Sequence, residues 1–180
     1  VQVSAQGGMR VIAFDATPGA AASAKDAIAK TLKGLAEKGR IAAADADGAV
    51  ARIAVANDIK DLARAHVIVE AIVERLDIKQ ALFQQLEEIC GPETILASNT
   101  SSLPVTAIAA KCKRPERVAG MHFFNPVPLM KLVEVIPGLK TDVAVTEALM
   151  TIGRRMTREP VLCIDSPGFL VNHAGRGLST

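Results

Sequence analysis

Short apolar runs alternate along this chain with longer stretches of helical period. Arg10–Asp15 reads as a strand ending in an acid, and Pro18–Lys38 as a helix with Thr17 as its N-cap and Gly39 as its stop. Ile53–Ala56 reads as a second strand. His66–Ile72 is apolar almost throughout, as suits a parallel strand buried on both faces. Leu76, Phe83, Leu86 and Ile89 share one face of a helix over Asp77–Cys90. Thr94–Ser98, Val118–Phe124, Leu132–Ile136 and Val161–Ile164 read as further strands, with a helix over Thr141–Arg155 before the last. Strands alternating with helices predict an α/β fold built from crossover units around a mostly parallel sheet. At the ends, Val1–Gln6 reads as the tail of a helix closing at Gly7-Gly8, and Pro167–Asn172 as the opening of another helix. A start in mid-helix carries the expectation that further chain precedes it.

Composition narrows the picture. Of 180 residues 49% are hydrophobic, enough for one sizeable core, and that core is aliphatic: there are five Phe and no Trp or Tyr. With 21 basic and 19 acidic side chains the net charge is only +2, and no long run of one sign occurs. Balanced charge without interleaved aromatics argues against a nucleic-acid partner. No apolar run reaches the roughly 20 residues of a membrane span, and the first residues do not form a signal peptide. The three cysteines, Cys90, Cys112 and Cys163, are widely spaced, without a C-x-x-C pair. Reduced thiols in a cytoplasmic setting are expected, with neither a disulfide framework nor a metal site.

Candidate chemistry gathers around His122-Phe-Phe-Asn125-Pro126 and the following Lys131-Leu-Val-Glu134-Val-Ile. If these segments are neighbours, Glu134 can hold one imidazole nitrogen and leave the other to take a proton. Such a general base is worth roughly 10²- to 10⁴-fold in rate. Spacing alone serves equally well a core histidine and a surface carboxylate. Ser98-Asn-Thr-Ser101-Ser102 ends a strand at the edge where open α/β sheets bind ligands, and also fits a helix N-cap. Asp15 at a strand tip suits an adenosine ribose or an ordinary turn, and as an acid it would favour NAD over NADP. No G-x-G-x-x-G accompanies it. Glu74 and Lys79 read, by themselves, as a helix-start acid and a solvated lysine, and Thr31 and Lys38 as surface residues of the first long helix.

Taken together, Val-Ile-Val-Glu-Ala-Ile-Val-Glu74, Ala-Ser-Asn-Thr-Ser101-Ser-Leu, His122-Phe-Phe-Asn125-Pro-Val-Pro, Met-Lys-Leu-Val-Glu134-Val-Ile and Ser-Pro-Gly-Phe-Leu-Val-Asn172 resemble, in order and spacing, the NAD-binding domain of L-3-hydroxyacyl-CoA dehydrogenases. The resemblance covers nearly the whole chain. It extends to single-function bacterial enzymes and to the dehydrogenase part of multifunctional fatty-acid oxidation proteins. It implies a Rossmann-like, doubly wound, mostly parallel sheet, with NAD as cofactor and an acyl-CoA as substrate in β-oxidation or related catabolism. His122 would take the 3-hydroxyl proton while C3 gives a hydride to the nicotinamide, and Glu134 would orient His122. Ser101 and Asn172 would hydrogen-bond substrate oxygens and the histidine region. Asp15 would hold the adenosine ribose, and Glu74, Lys79, Ser101 and Asn125 the nicotinamide half. Thr31, where serine is usual, and Lys38 would contact coenzyme A. His173 stands where arginine is common and is given no role.

Family members also carry a first strand with a glycine loop and a C-terminal helical domain that dimerises. Residues 1–180 therefore resemble a partial NAD-binding domain, with the helical domain opening at about 168–180. In the doubly wound order 3-2-1-4-5-6 the first strand is central, so its absence predicts two half-sheets with unpaired inner edges. Two alternatives stand beside the dehydrogenase: a non-catalytic structural or nucleotide-sensing protein of the same fold, and a two-domain dehydrogenase of similar shape acting on sugar acids or amino-acid-like substrates. The first does not need the set Ser101, His122, Glu134 and Asn172; the second lacks the His-Phe-Phe-Asn-Pro run. The expectation is a fragment that binds NAD poorly and turns over little; robust hydride transfer by the purified chain would overturn it.

Overall fold

The computed structural model describes residues 1–170. Two compact units divide the chain, Val1–Ala63 with Arg155–Thr157, and the remainder from Arg64 onward.

The first unit contains α1 (Gln2–Gln6), β1 (Val11–Ala13), α2 (Ala20–Glu37), α3 (Ala43–Ala51) and β2 (Ile53–Val55). β1 and β2 pair in parallel, with Val11 opposite Ile53. Ile28, Leu32, Leu35 and Ala36 recur at helical spacing on α2, and this stripe packs on Ala5, Ala46, Ala49 and Ile53. Gly39 does stop α2. It sits at φ 66, its N–H bonds the Ala36 carbonyl, and the Arg40 N–H bonds the Leu35 carbonyl, both at 2.9 Å. That is the left-handed helix end that glycine makes without a Cβ clash. Thr17 is not the N-cap: Gly19, at φ 80, takes that place, and no side chain caps the helix. Pro18-Gly19 supplies one more turn, in which the Thr17 carbonyl accepts the Ala20 N–H at 3.1 Å.

The second unit contains β3 (Val67–Glu70), α4 (Leu76–Ile89), β4 (Ile95–Ser98), the short α5 (Val105–Ala109), β5 (Val118–Phe123), β6 (Leu132–Pro137), α6 (Val143–Arg155) and β7 (Glu159–Leu162). Its five-stranded sheet runs β3-β4-β5-β6-β7. All neighbours are parallel except β5 and β6, which are antiparallel. The predicted mostly parallel α/β sheet is thus present, and it is in two pieces. Among the described residues β1 pairs only with β2, and β3 only with β4. Each presents an unpaired edge on which an apolar side chain is exposed, Ile12 on β1 and Val69 on β3. The last strand begins two residues earlier than its apolar pattern suggests, because Glu159 and Pro160 already pair with Leu132 and Val133.

The core of this unit lies around β4, β5 and β6, whose Leu96, Ala97, Val118, Met121, Val133, Val135 and Ile136 are all fully buried. α5 approaches β5 so closely that a Cβ at Gly120 would sit 2.9 Å from Val105 Cγ2 and 3.0 Å from Ile136 Cβ. Small size, not backbone freedom, is what this position demands. Gly120→Ala should therefore destabilise the domain by about 1–3 kcal/mol through overpacking. Equilibrium urea unfolding measures it, and an unchanged midpoint would contradict the close approach.

Candidate active site

β3, β4 and β5 run parallel, so their carboxyl ends share one edge of the sheet, and antiparallel β6 starts from that same edge. The chemistry-bearing residues of the second unit collect there.

His122 and Glu134 are direct cross-strand partners on β5 and β6. Facing positions of an antiparallel pair put their side chains on one face, about 5 Å apart at Cβ. The result is a 2.7 Å hydrogen bond between His122 Nδ1 and Glu134 Oε2. Neither group is on the surface: Glu134 is fully buried and His122 is 6% exposed. Glu134 Oε1 accepts the Leu170 N–H at 3.0 Å. The imidazole is flanked by Phe124 at 4.6 Å and Phe169 at 5.8 Å between ring centroids. Burial, and after it the Glu134 charge beside it, pushes the Cys163 thiol up to about 11, so this neighbour stays protonated. Burial likewise raises Cys90 and Cys112, the latter to about 12, which makes neither a nucleophile at neutral pH.

A second cluster spans the loops after β3 and β4. Glu74 Oε1 accepts from the Thr100 hydroxyl at 2.5 Å, the Ser101 N–H at 2.9 Å, and the Ser102 N–H and hydroxyl, both at 3.1 Å. Its Oε2 lies 3.4 Å from the Lys79 ammonium. Lys79 is not solvated, as its place near a helix start would suggest. Its side chain is 1% exposed and its ammonium sits 2.6 Å from Glu70 Oε1. Glu70, equally buried, also accepts the Ile72 N–H at 2.6 Å and the Ser98 hydroxyl at 2.7 Å. One cation thus ties two carboxylates and two loops together. Breaking such a buried pair from one side costs about 3–5 kcal/mol, because the other charge is stranded. Asn99 connects this cluster to the first: its Oδ1 accepts the N–H of Phe123, the residue after His122, at 2.9 Å.

Of the residues singled out by sequence, His122 and Glu134 come together, as do Glu74, Lys79 and the Ser101 backbone. Asn125 is exposed on the loop after β5, joined to Pro126 by a cis peptide bond. Asp15, Thr31 and Lys38 belong to the first unit. Asp15 is exposed and its Oδ1 accepts the Thr17 N–H at 2.8 Å, so it does brace a turn. Thr31 and Lys38 are exposed, and the Thr31 hydroxyl bonds the Ala27 carbonyl at 2.9 Å. Asn172 and the helix opening at Pro167–Asn172 fall partly or wholly outside the described residues. Sequence reasoning assigned nothing to Glu70, and gave Ser98, Asn99 and Thr100 no individual role within the polar run at the end of β4. A carboxylate inside an apolar run, as Glu70 is in Val67–Ile72, was the available signal. Among the described residues no cluster could hold a metal ion, and no helix is long and apolar enough to cross a membrane.

Over residues 1–166 the sequence matches the family described as 3-hydroxyacyl-CoA dehydrogenase, NAD binding domain. The chain belongs to this family. It is 44% identical over 175 residues to the 3-hydroxyadipyl-CoA dehydrogenase of Escherichia coli, a match covering 97% of this chain and 37% of that protein. It is 42% identical over 171 residues to a probable 3-hydroxybutyryl-CoA dehydrogenase of Bacillus subtilis, covering 95% of this chain and 60% of that one. A crystal structure of 3-hydroxybutyryl-CoA dehydrogenase from Escherichia coli K12 superimposes with a TM-score of 0.93 at 42% identity, over 99% of this chain and 39% of the other. The chain thus spans from about a third to three fifths of the length of these dehydrogenases.

The family is named for binding NAD, and the carboxyl edge offers such a cofactor an ionised, partly exposed carboxylate. Burial pushes the Glu74 carboxyl up, but the Thr100 hydroxyl, the Ser101 N–H, the Lys79 charge and the Ser102 N–H outweigh it and hold the group at about 2. A carboxylate that is ionised at neutral pH and about a third exposed can still accept a ribose hydroxyl. The same depression sets an acid dependence. Above its ordinary value of 4.5 Glu74 is charged in folded and unfolded chains alike and contributes its full stabilisation. As the pH falls from about 4.5 to about 2 only the unfolded chain takes the proton, so that stabilisation drains away. Glu74→Gln should flatten the fall of stability across this window, read from urea midpoints at successive pH values; a curve parallel to the parent's would show that Glu74 does not carry it.

Proposed function

We propose that this domain serves the NAD-dependent oxidation of L-3-hydroxyacyl-CoA to 3-oxoacyl-CoA. The observation that supports this most is the buried 2.7 Å bond between His122 Nδ1 and Glu134 Oε2, at the ligand-binding edge of a sheet of this family. A carboxylate only accepts, so it keeps a proton on Nδ1 and leaves the lone pair on Nε2. Nε2 then takes the proton of the substrate's 3-hydroxyl as that C–O bond becomes a carbonyl, and Glu134 stabilises the imidazolium that forms. NAD, when bound, supplies the acceptor for the C3 hydride. In the reverse direction Nε2 returns the proton to the carbonyl oxygen.

The other roles belong to the same proposal. Ser101 and Asn172 bind substrate oxygens beside His122. Glu74 and Asn125 face the nicotinamide ribose and ring. Lys79, whose ammonium is enclosed by Glu70, Glu74 and the Ile72 carbonyl, serves the cofactor by holding Glu74 in place. Asp15 takes the adenosine ribose, and Thr31 and Lys38 take coenzyme A. Residues 1–180 act as part of an NAD-binding domain, with residues from about 168 leading into a helical, dimer-forming region. The setting proposed is the cytoplasm.

The test is the loss of NADH absorbance with acetoacetyl-CoA, using this domain joined to a glycine-rich phosphate loop and a C-terminal helical region. His122→Gln should lower kcat by roughly 10²- to 10⁴-fold with little change in KM. A His122→Gln protein of undiminished kcat would remove the general-base assignment.

A further inference from the structure

Asp165 takes no part in the chemistry above, yet both its carboxylate oxygens are spent on one clasp. Oδ1 accepts the Val105 N–H at 2.7 Å. Oδ2 accepts the Thr106 N–H at 2.7 Å and the Thr106 hydroxyl at 2.6 Å. Val105 and Thr106 open α5, so Asp165 fastens the segment after β7 to a distant part of the chain. Five residues further on, the same segment reaches the dyad. Phe169 is 2% exposed and lies against the His122 ring, and the Leu170 N–H bonds Glu134 Oε1 at 3.0 Å.

Between these two ends the backbone turns sharply. The Phe169 N–H bonds the Ser166 carbonyl at 2.9 Å, and Gly168 and Phe169 take successive positive φ values of 81 and 49. Glycine adopts that conformation freely; a residue with a bulky side chain holds it only where its surroundings fix it. Here the fixed points are the Asp165 clasp on one side and the dyad on the other. We propose that Asp165 is a positioning residue for the His122–Glu134 pair: by anchoring the strap from Cys163 to Leu170 it delivers the Phe169 ring and the Leu170 N–H that hold imidazole and carboxylate in register. The proposal deepens the general-base reading and rests on it.

The test uses NMR of the 180-residue chain, whose three histidines allow the His122 ring signals to be assigned against His122→Gln. In Asp165→Asn one acceptor becomes an NH₂ group facing N–H donors. The expected result is loss of hydrogen-exchange protection at the Leu170 amide and a shift of the His122 imidazole ¹⁵N and ring-proton signals. Thr94→Ala is the control for general weakening of the sheet. It removes the hydrogen bond to the Ala65 carbonyl, just before the start of β4 and away from the clasp and the strap, and should leave these signals in place. If Asp165→Asn is folded with Leu170 and His122 unmoved, or if Thr94→Ala moves them equally, the proposal fails. If Asp165→Asn does not fold, Thr106→Val decides: it deletes one arm of the clasp and keeps the N–H, and unchanged His122 signals would overturn the idea. These signals need no substrate. An active His122→Gln enzyme would defeat the general-base reading whatever the spectra show, and unmoved spectra would defeat the role of Asp165 whatever the assay shows.

Discussion

The antiparallel register of β5 and β6 is the constraint on which the site depends. It sets His122 opposite Glu134, with Met121 paired to Val135 and Phe123 to Val133 on either side. In a sheet the side-chain period is two, so a slip of one residue would turn His122 and Glu134 to opposite faces. The register is guarded by burial: Met121, Val133 and Val135 are all fully enclosed. Packing of apolar neighbours thereby enforces the geometry of a polar pair that could not hold itself. The pair in turn is tolerated in the interior because both Glu134 oxygens are bonded, one to the imidazole and one to the Leu170 N–H.

A second buried charge group obeys the same logic at the adjacent strand ends. Burying Glu70 and Lys79 costs several kcal/mol per ion, which their mutual attraction offsets only with good geometry and further hydrogen bonds. Both conditions hold: the pair is 2.6 Å apart, and Glu70 accepts in addition from Ile72 and Ser98. A hydrophobic pair of like volume could fill this space. It could not fix the loop bearing Glu74 against the loop bearing Ser101. Glu74 spends one oxygen on that loop and keeps the other toward Lys79 and solvent. The arrangement exchanges the cheaper apolar core for two loops held in one geometry.

What was legible in the sequence follows from how local each cause is. Gly39 could be read as a helix stop because a left-handed residue after an apolar stripe is a one-position signal. The strands were legible from short β-branched runs, and the divided sheet from the place a missing glycine-loop strand would occupy. α3 was missed: Ala43–Ala51 is mostly alanine with Gly48 inside it, so it forms a helix without an apolar stripe. Thr17 lost the N-cap to Gly19 because Pro18-Gly19, a turn-forming pair, inserts one more turn before the helix begins. His122 and Glu134 were found as candidates, but whether they met depended on strand sense, which spacing cannot supply. Lys79 read as solvated because its partners are Glu70, at the end of β3, and Glu74, on the loop that follows, and only the fold brings them to it. Asp165 was invisible for the same reason, its partners being on α5.

Location connects the two polar groups. The sheet changes sense between β5 and β6. Parallel strands deliver their carboxyl ends to one edge, and a strand running the other way begins at that edge. Glu134 therefore enters the site from the third residue of β6, while Glu74, Ser101 and His122 enter from the ends of three successive parallel strands and the loops behind them. In a wholly parallel sheet β6 would present its last residues to this edge, as β5 presents His122, and not its first. The antiparallel strand places the carboxylate inside the sheet, paired on both sides by β5 and β7, and leaves Glu74 and Ser101 to the loops. The rigid element thus bears the part whose geometry tolerates least error, the carboxylate that decides which imidazole nitrogen keeps its proton.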